Sequence, residues 1–283
     1  MNKPLHFALV GENMYYSQMP RIFEAISKHT GQIGQYDLHS VNRTQLGECV
    51  NSLVSEGVSG FSVTIPHKQA VIEYLDEISP IAKSLMAVNS VAIKNGRLFG
   101  YNTDSYGVTY TFKRASISLN EGPVLIFGSG GAARAVIYAL CHDFGIKQFT
   151  VCNRSNAGLR TFKQEMSQAM VSIEITTVID TDDQDEKTGA SPTIVINCTP
   201  LGGANHPDTA PFELEHNWSG VQCYFDLNYN ENNRAINLMR EQSVPVVDGS
   251  VMLVAQALKS FELWTGDSVD FEPVYKDVFG KGE

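Results

Sequence analysis

The stretch that decides the fold is residues 123–135, which read PVLIFGSGGAARA. Its continuous apolar run at 123–127 predicts a short buried strand, and the residues that follow predict a helix to about residue 142. The turn between them fits the pattern GxGxxA and contains the small residues Gly128, Ser129, Gly130, Gly131 and Ala132. Small residues let the backbone approach a pyrophosphate, and the helix N-terminus supplies partial positive charge. With a second strand at 148–152, the stretch predicts a dinucleotide-binding βαβ unit; the alternative is a tight structural turn.

The end of that second strand indicates which dinucleotide is bound. Proteins that bind NAD usually carry an acidic residue there, which accepts hydrogen bonds from the ribose 2′-hydroxyl. Asn153, Arg154 and Ser155 occupy this place, and none of them is acidic. The guanidinium of Arg154 suits a 2′-phosphate, so the sequence favours NADP, with NAD still possible. The alternative is that Arg154 is a solvated surface side chain.

Strands and helices alternate on both sides of this stretch, which predicts an α/β fold throughout. Upstream, the apolar runs predict strands at 5–10, 35–39 and 60–65, helices at 20–29, 43–55 and 69–75, and an antiparallel pair at 87–93 and 97–101. Downstream, they predict strands at 173–177, 193–197 and 222–227 and helices at 157–170, 232–240 and 251–264. We expect a largely parallel sheet in the first half and a doubly wound parallel sheet in the second.

The composition restricts the partners of the chain. Its 283 residues are 43% hydrophobic, which is enough for two cores. With 21 Lys and Arg against 31 Asp and Glu, the net charge of -10 argues against nucleic acid and anionic membranes as partners. No signal peptide or membrane-spanning stretch is evident, so we expect a cytoplasmic protein. The 5 cysteines and 7 histidines show no metal-site spacing, so we expect no metal.

Polar side chains collect at the predicted strand ends of the first half. Residues 62–68, SVTIPHK, end a strand with hydroxyl groups and then Lys68, which can transfer a proton if its ammonium is partly buried. Asn89 follows an apolar run, and residues 102–104, Asn-Thr-Asp, end the next predicted strand. Asp104 would hold the ammonium of Lys68 in place. The alternatives are a surface lysine and an aspartate that caps the following helix.

The order of these motifs resembles the shikimate dehydrogenase family, which also contains quinate/shikimate dehydrogenases and less characterised paralogues. The resemblance spans nearly the whole chain. It is carried by residues 17–20, 63–68 (VTIPHK), 87–90 (AVNS), 102–104 (NTD), 128–135 (GSGGAARA), 153–155 (NRS), 197–199 (NCT), 226–230, and 248–249 with 253–266 (LVAQALKSFELWTG).

The resemblance implies roles for individual residues. Lys68 and Asp104 become the catalytic pair. The substrate would be bound by side chains from both halves, namely Ser17, Met19, Ser62, Thr64, Asn89, Asn102, Tyr229 and Gln256. The cofactor site would contain residues 128–132 and 153–155. It would also contain four further residues, Thr199, Leu227, Gly249 and Met252.

The resemblance also implies the architecture and the reaction. Residues 1–104 and 249–283 would form an α/β substrate-binding domain to which the C-terminal helix returns, and residues 105–248 an NADP-binding Rossmann domain, with the active site in the cleft between them. The implied activity is the reversible, NADP-dependent reduction of 3-dehydroshikimate to shikimate in aromatic amino acid biosynthesis, by a monomer or homodimer. The alternatives are a paralogue acting on quinate or another cyclic polyol acid, and an NADP-binding sensor without turnover.

Three positions depart from the family pattern. Met19 stands where a second serine of an SxSP motif usually binds the substrate carboxylate, and Ser62 stands where asparagine is usual. In the family, a second basic residue often follows the motif that contains Arg154, and in this chain Gly158 lies near that place. Another basic residue, Arg160, is close by in the sequence. These departures leave the substrate and the strictness of the NADP preference open.

Overall fold

The computed structural model shows two compact units. Unit 1 is Met1–Gly107 with Leu253–Glu283, and unit 2 is Val108–Met252. No helix in the described part of the chain is long and apolar enough to span a membrane. The structure describes residues 4–117, 119, 122–170, 172–179, 192–213, 217–230 and 232–280.

Unit 1 contains a six-stranded mixed sheet with the strand order β2-β1-β3-β5-β6-β4. Only β5 runs antiparallel to its neighbours, and the turn into β6 has positive φ at Asn95 and Gly96, which suits a tight hairpin. The elements are β1 (Leu5–Gly11), α1 (Met19–Thr30), β2 (Ile33–Ser40), α2 (Leu46–Ser55), β3 (Gly60–Val63), a 3-10 helix (Ala70–Tyr74), β4 (Glu77–Ile78), α3 (Pro80–Leu85), β5 (Ser90–Lys94) and β6 (Arg97–Tyr101). The predicted parallel strands and hairpin are confirmed, whereas β4 and α3 were not predicted.

The C-terminal segment completes unit 1. Helix α8 (Ser250–Thr265) carries Trp264, whose ring lies 4.9 Å from that of Phe7 and 5.5 Å from that of Phe23. A Cβ atom at Gly60 would come within 2.6 Å of the indole, so glycine is what permits this approach. Helix α9 (Phe271–Phe279), which was not predicted, accepts a hydrogen bond at the Val278 carbonyl from Arg21. The predicted return of the C-terminal helix is therefore confirmed.

Unit 2 is a doubly wound sheet of parallel strands, as predicted, and the strand order is β12-β11-β10-β7-β8-β9. Because the chain leaves β7 toward β8 and later returns to β10 on the other side, the switch point lies between β7 and β10, where such sheets bind ligands beyond the carboxyl ends of the strands. Its elements are β7 (Val124–Phe127), α5 (Gly131–Phe144), β8 (Gln148–Asn153), α6 (Asn156–Ala169), β9 (Glu174–Ile179), β10 (Ile194–Asn197), β11 (Cys223–Asp226), α7 (Arg234–Glu241) and β12 (Val246–Val247). Helix α4 (Asp104–Arg114) begins in unit 1 and ends in unit 2.

Candidate active site

A largely buried ion pair joins Lys68 and Asp104 in unit 1. Lys68 follows β3, and Asp104 is the first residue of α4. The Nζ of Lys68 lies 2.6 Å from Oδ2 of Asp104, and the side chains are 17% and 8% exposed. The contact predicted from the strand ends is thus present. The lysine side chain is thus partly exposed, while the carboxylate is almost enclosed.

Asn89 orients that carboxylate. Its Nδ2 donates to Oδ1 of Asp104 at 2.9 Å and to Oγ1 of Thr103 at 2.9 Å. Its Oδ1 accepts from the backbone N–H of Thr103 at 2.6 Å. Because both ends of the Asn89 amide are bonded to residues 103 and 104, the Asp104 carboxylate is turned so that Oδ2 meets Lys68.

Asn102 shapes the backbone beside this pair. Its Nδ2 donates to the carbonyl of Ala87 at 2.9 Å, and its Oδ1 accepts from the N–H of Ser105 at 3.2 Å. The side-chain acceptor for the first turn of α4 is therefore Asn102, while the Asp104 carboxylate bonds to Lys68 and Asn89. This local arrangement frees Asp104 from the capping role that was its alternative interpretation.

Gln256 extends the cluster from α8. Its Oε1 lies 3.3 Å from Nδ2 of Asn89, and its Nε2 donates to the Leu253 carbonyl at 2.9 Å. Its Nε2 also approaches Sδ of Met19 at 3.4 Å. The thioether that stands in place of the usual serine is thus buried against the amide of Gln256, where it is a weak acceptor and no donor.

Two members of the cluster were missed by the sequence analysis. Thr103 Oγ1 lies 3.0 Å from Ser260 Oγ, and Ser260 donates to the carbonyl of Gln256 at 2.9 Å. Both hydroxyl groups are buried. The helical spacing of Ser260 from Gln256 is a signal that was present in the sequence, since residues four apart share one helix face.

The remaining predicted substrate residues of unit 1 differ in their surroundings. Ser17 Oγ accepts from the N–H of Met19 at 3.2 Å at the start of α1, and Thr64 is half-buried after β3. Ser62 is buried, and its hydroxyl lies 3.4 Å from that of Tyr36. Burial raises the pKa of Tyr36, so the phenol stays neutral and donates to Ser62. Ser62 is therefore hydrogen-bonded to a residue of β2. Ser17 lies at the start of α1, and Thr64 directly follows β3.

The glycine turn of unit 2 lies between β7 and α5. Gly128 has a φ of 100°, and a Cβ there would lie 3.2 Å from backbone atoms of Cys198. Gly130 precedes α5, and nothing lies within 4 Å of where its Cβ would be. Asn153 Nδ2 donates to Ser129 Oγ, which ties the turn to the end of β8. An open, backbone-lined surface at a helix N-terminus is a site for phosphate groups.

The segment after β8 presents an exposed cation beside this turn. The N–H of Arg154 is bonded to Oδ1 of Asn153 at 2.8 Å, and its side chain is exposed. Ser155 Oγ caps α6 by accepting from the N–H of Gly158 at 3.2 Å. Arg160 is also exposed. The guanidinium of Arg154 is thus available to an anion.

Of the other predicted cofactor residues, Thr199, Leu227 and Gly249 lie on the loops after β10, β11 and β12, and Met252 lies in the first turn of α8. Thr199 bonds to Oδ1 of Asn197 through its N–H at 2.9 Å and its hydroxyl at 2.7 Å. A Cβ at Gly249 would lie 2.1 Å from the Leu227 carbonyl, so only glycine fits there. Met252 belongs to the core of unit 2, with Leu227 packed against it, and Tyr229 is half-buried.

Comparisons with known proteins identify relatives of the chain. The family models for the shikimate dehydrogenase substrate binding domain and the shikimate 5′-dehydrogenase C-terminal domain match residues 9–91 and 249–279. A shikimate dehydrogenase (NADP(+)) from Bacillus cereus is 32% identical over 281 residues, which cover 97% of this chain and 98% of the relative.

Two solved structures show the same fold. Shikimate 5-dehydrogenase from Thermus thermophilus, in complex with NADP(H) and shikimate, matches with a TM-score of 0.83 and 27% identity, covering 98% of this chain and 99% of that one. Quinate dehydrogenase from Corynebacterium glutamicum, in complex with NAD, matches with a TM-score of 0.85 and 25% identity, covering 99% and 100%.

Proposed function

The chain belongs to the shikimate dehydrogenase family, and from that premise we propose that it interconverts 3-dehydroshikimate and shikimate with NADP as the cofactor. The observation that carries the proposal is the contact of 2.6 Å between Lys68 and Asp104, with Asn89 bonded to the same carboxylate. A cation held by an oriented carboxylate is the arrangement that a proton transfer to or from a substrate oxygen requires.

Lys68 is the proposed proton donor in the reducing direction. As a carbonyl carbon receives a hydride, negative charge develops on its oxygen, and an ammonium near that oxygen stabilises the charge and supplies the proton. In the oxidising direction the amine accepts the hydroxyl proton. Asp104 keeps the Nζ of Lys68 in one position, and Asn89 keeps Asp104 in one orientation.

The residues of unit 2 fit a nicotinamide dinucleotide, which supplies and accepts the hydride when it is bound. The turn of Gly128 and Gly130 would hold the pyrophosphate, because the Cβ position of Gly130 is open and the turn leads into the N-terminus of α5. Arg154 would pair with the 2′-phosphate. Further cofactor roles are proposed, on the family resemblance, for Ser129, Gly131, Ala132, Asn153, Ser155, Thr199, Leu227, Gly249 and Met252.

Substrate binding is proposed, on the family resemblance, for side chains of unit 1 and for Tyr229 of unit 2. Thr64, Asn89, Asn102 and Gln256 would bind hydroxyl groups, and Ser17 and Tyr229 the carboxylate, with Ser62 and Met19 beside them. Met19 favours a second candidate function, because its thioether has no hydrogen to donate to a substrate carboxylate and contacts Gln256 instead. That candidate is the oxidation of quinate or another cyclic polyol acid in the same fold.

The organisation of the protein is part of the same proposal. Residues 1–104 with 249–283 are the proposed substrate domain and residues 105–248 the proposed NADP domain, which agrees in outline with units 1 and 2. A small molecule is the proposed partner. A cytoplasmic location and a monomeric or homodimeric state also remain proposals.

The test is a comparison of four reactions. The appearance of reduced cofactor is followed by absorbance while shikimate or quinate is offered with NADP or NAD. The proposal expects the highest kcat/KM with shikimate and NADP. A preference for quinate supports the second candidate, and saturable NADP binding without oxidation of either acid would indicate a sensor.

A further inference from the structure

The carboxylate of Asp226 in unit 2 is enclosed by neutral hydrogen-bond donors. It ends β11 and has no exposed surface. Its Oδ2 lies 2.7 Å from the hydroxyl of Tyr224, 3.1 Å from Nδ2 of Asn197 and 3.2 Å from Nδ2 of Asn233. Its Oδ1 accepts from the N–H and the Nδ2 of Asn228 at 2.9 and 2.7 Å. Each of these hydrogen-bond partners is uncharged.

The surrounding contacts determine that these groups donate. Oδ1 of Asn197 already accepts from Thr199, so its amide nitrogen must face Asp226. Oδ1 of Asn233 likewise accepts a hydrogen bond, from the N–H of Ile236 at 3.0 Å, so its amide nitrogen also faces Asp226. A carboxylate surrounded by donors is bonded best when it carries no proton, since only the ionised form is purely an acceptor. Burial raises the pKa of Asp226, and the hydrogen bonds counteract that rise.

Asp226 is joined through these donors to the loop that follows β10. Asn228 Nδ2 also lies 3.1 Å from the carbonyl of Thr199 and 3.2 Å from that of Leu201. A Cβ at Gly203 would lie 2.5 Å from Oδ1 of Asn228, so the loop packs tightly on the Asp226 cluster. The same loop reaches the glycine turn, where Thr199 and Cys198 lie 3.2 Å from the Cβ position of Gly128.

The topology of unit 2 gives this loop a place in the cofactor site. A doubly wound sheet binds a dinucleotide across the switch point, with one nucleotide on each half of the sheet. The half made of β7 and β8 carries Arg154 and would take the adenosine with its 2′-phosphate. The loops after β10 and β11 therefore form the wall for the nicotinamide half.

We propose that Asp226 is a positioning residue, whose ionised carboxylate fixes the loops after β10 and β11 in the shape that aligns the nicotinamide half of the cofactor. This inference rests on the proposed function. Asp226 does not itself touch the cofactor in this account; it acts through Asn197 and Asn228. The adenosine half of the site does not depend on it.

The test compares the two halves of the site in the full-length Asp226→Asn variant. The asparagine introduced at position 226 has about the same size as aspartate. Its NH₂ group, however, faces Nδ2 of Asn228 or the hydroxyl of Tyr224, so that a donor meets a donor. We expect kcat/KM for NADP, with saturating shikimate, to fall about thirtyfold, because hydrogen bonds to a charged group are lost. The dissociation constant of adenosine 2′,5′-bisphosphate, measured by calorimetry, should stay within about twofold of the wild-type value because this probe reports only the adenosine half.

Two results would overturn the inference. One is an unchanged kcat/KM for NADP, and the other is an equal loss of affinity for adenosine 2′,5′-bisphosphate, which would show that Asp226 supports the whole unit. If the wild-type protein itself binds neither NADP nor the probe, the proposed function fails instead.

A second variant covers the case in which Asp226→Asn does not fold. Asn228→Ala removes the side-chain bonds to Thr199, Leu201 and Asp226 and leaves Asp226 with four donors, one of which is the backbone N–H of residue 228. We expect kcat/KM for NADP to fall about tenfold with unchanged affinity for the probe. Asn237→Ala, at an exposed position of α7, is the matched control and should change neither quantity. Equal values in Asn228→Ala and the control would contradict the inference.

Discussion

Two buried carboxylates, Asp104 in unit 1 and Asp226 in unit 2, have opposite surroundings. Asp104 bonds to the ammonium of Lys68 and to one amide, and the lysine is 17% exposed. Asp226 bonds to five donor groups that are all neutral and has no exposed surface. A carboxylate paired with a cation that reaches the surface can take part in moving a proton, because its partner has a proton to give. A carboxylate among neutral amides and a phenol holds loops in place.

Lys68→Ala makes the surroundings of Asp104 similar to those of Asp226, since it leaves Asp104 with neutral donors only. If Lys68 supplies the proton, kcat should fall about a hundredfold or more, while the KM of the acid changes much less because proton transfer acts mainly in the transition state. Steady-state kinetics of the purified variant give both constants. Lys83→Ala, an exposed lysine of α3, is the control and should behave as wild type. A near-normal kcat in Lys68→Ala would exclude Lys68 as the proton donor.

Arg154→Ala tests whether the exposed cation of unit 2 acts on the cofactor alone. A hydrogen bond to a charged group contributes about 1.5 to 3 kcal/mol, so NADP affinity should fall about tenfold or more. NAD affinity should hardly change, because NAD has no 2′-phosphate. Fluorescence titration of both reduced cofactors measures the two losses, with Arg240→Ala, exposed on α7, as the control. Equal losses for the two cofactors would contradict the role of Arg154.

Met19→Ser changes a neutral neighbour of the Lys68 site. Serine restores a hydroxyl donor where Met19 now contacts Nε2 of Gln256. We expect kcat/KM for shikimate to rise about tenfold, chiefly through a lower KM, with unchanged cofactor affinity. Kinetics with shikimate and with quinate provide the measurement. A serine variant that gains nothing with shikimate and loses activity with another acid would favour the second candidate.

A third carboxylate, Asp37 on β2, extends the comparison to the surface. Its partial burial works toward a higher pKa, but hydrogen bonds from Gln35 and His6 outweigh it and lower the pKa of Asp37. A lowered folded-state pKa adds stability above the unfolded-state pKa of about 3.9, and this stability is lost as pH falls through the folded value.

Asp37→Asn should therefore lower the Tm by only about a degree or two near neutral pH, because the site is largely solvated. The difference from wild type should shrink as the pH falls below about 4, and thermal unfolding monitored across pH provides the measurement. A difference that grows on acidification would show that the sign is wrong.

The sequence was sufficient for the fold where its signals are local. The apolar run before Gly128 and the alternation after it predicted the doubly wound sheet of unit 2, because parallel strands joined by helices have few allowed arrangements. The two-residue strand Glu77–Ile78 and the six-residue helix Pro80–Leu85 were missed, since such short elements show no periodicity. Helix α9 was missed although Gly280 ends it in a left-handed conformation.

The candidate site was less predictable, because its contacts are distant in sequence. Residues 62–68 and 102–104 indicated the contact of Lys68 with Asp104, since both segments end strands of one sheet. The pair of Thr103 and Ser260 is 157 residues apart, and no local pattern shows which hydroxyl groups meet. The Asp226 cluster was missed for the same reason, since it joins the ends of β10 and β11 with Asn233 at the cap of α7.

The central claim, that a hydride passes between a nicotinamide cofactor and a cyclic acid, is tested most directly by isotope transfer. 3-Dehydroshikimate is incubated with NADPH that carries deuterium at its transferable position, and the product acid is analysed by mass spectrometry. We expect shikimate that contains one deuterium for each cofactor oxidised, with the rate reduced about a hundredfold in Lys68→Ala. Shikimate that forms without deuterium, or no consumption of either reactant, would contradict it.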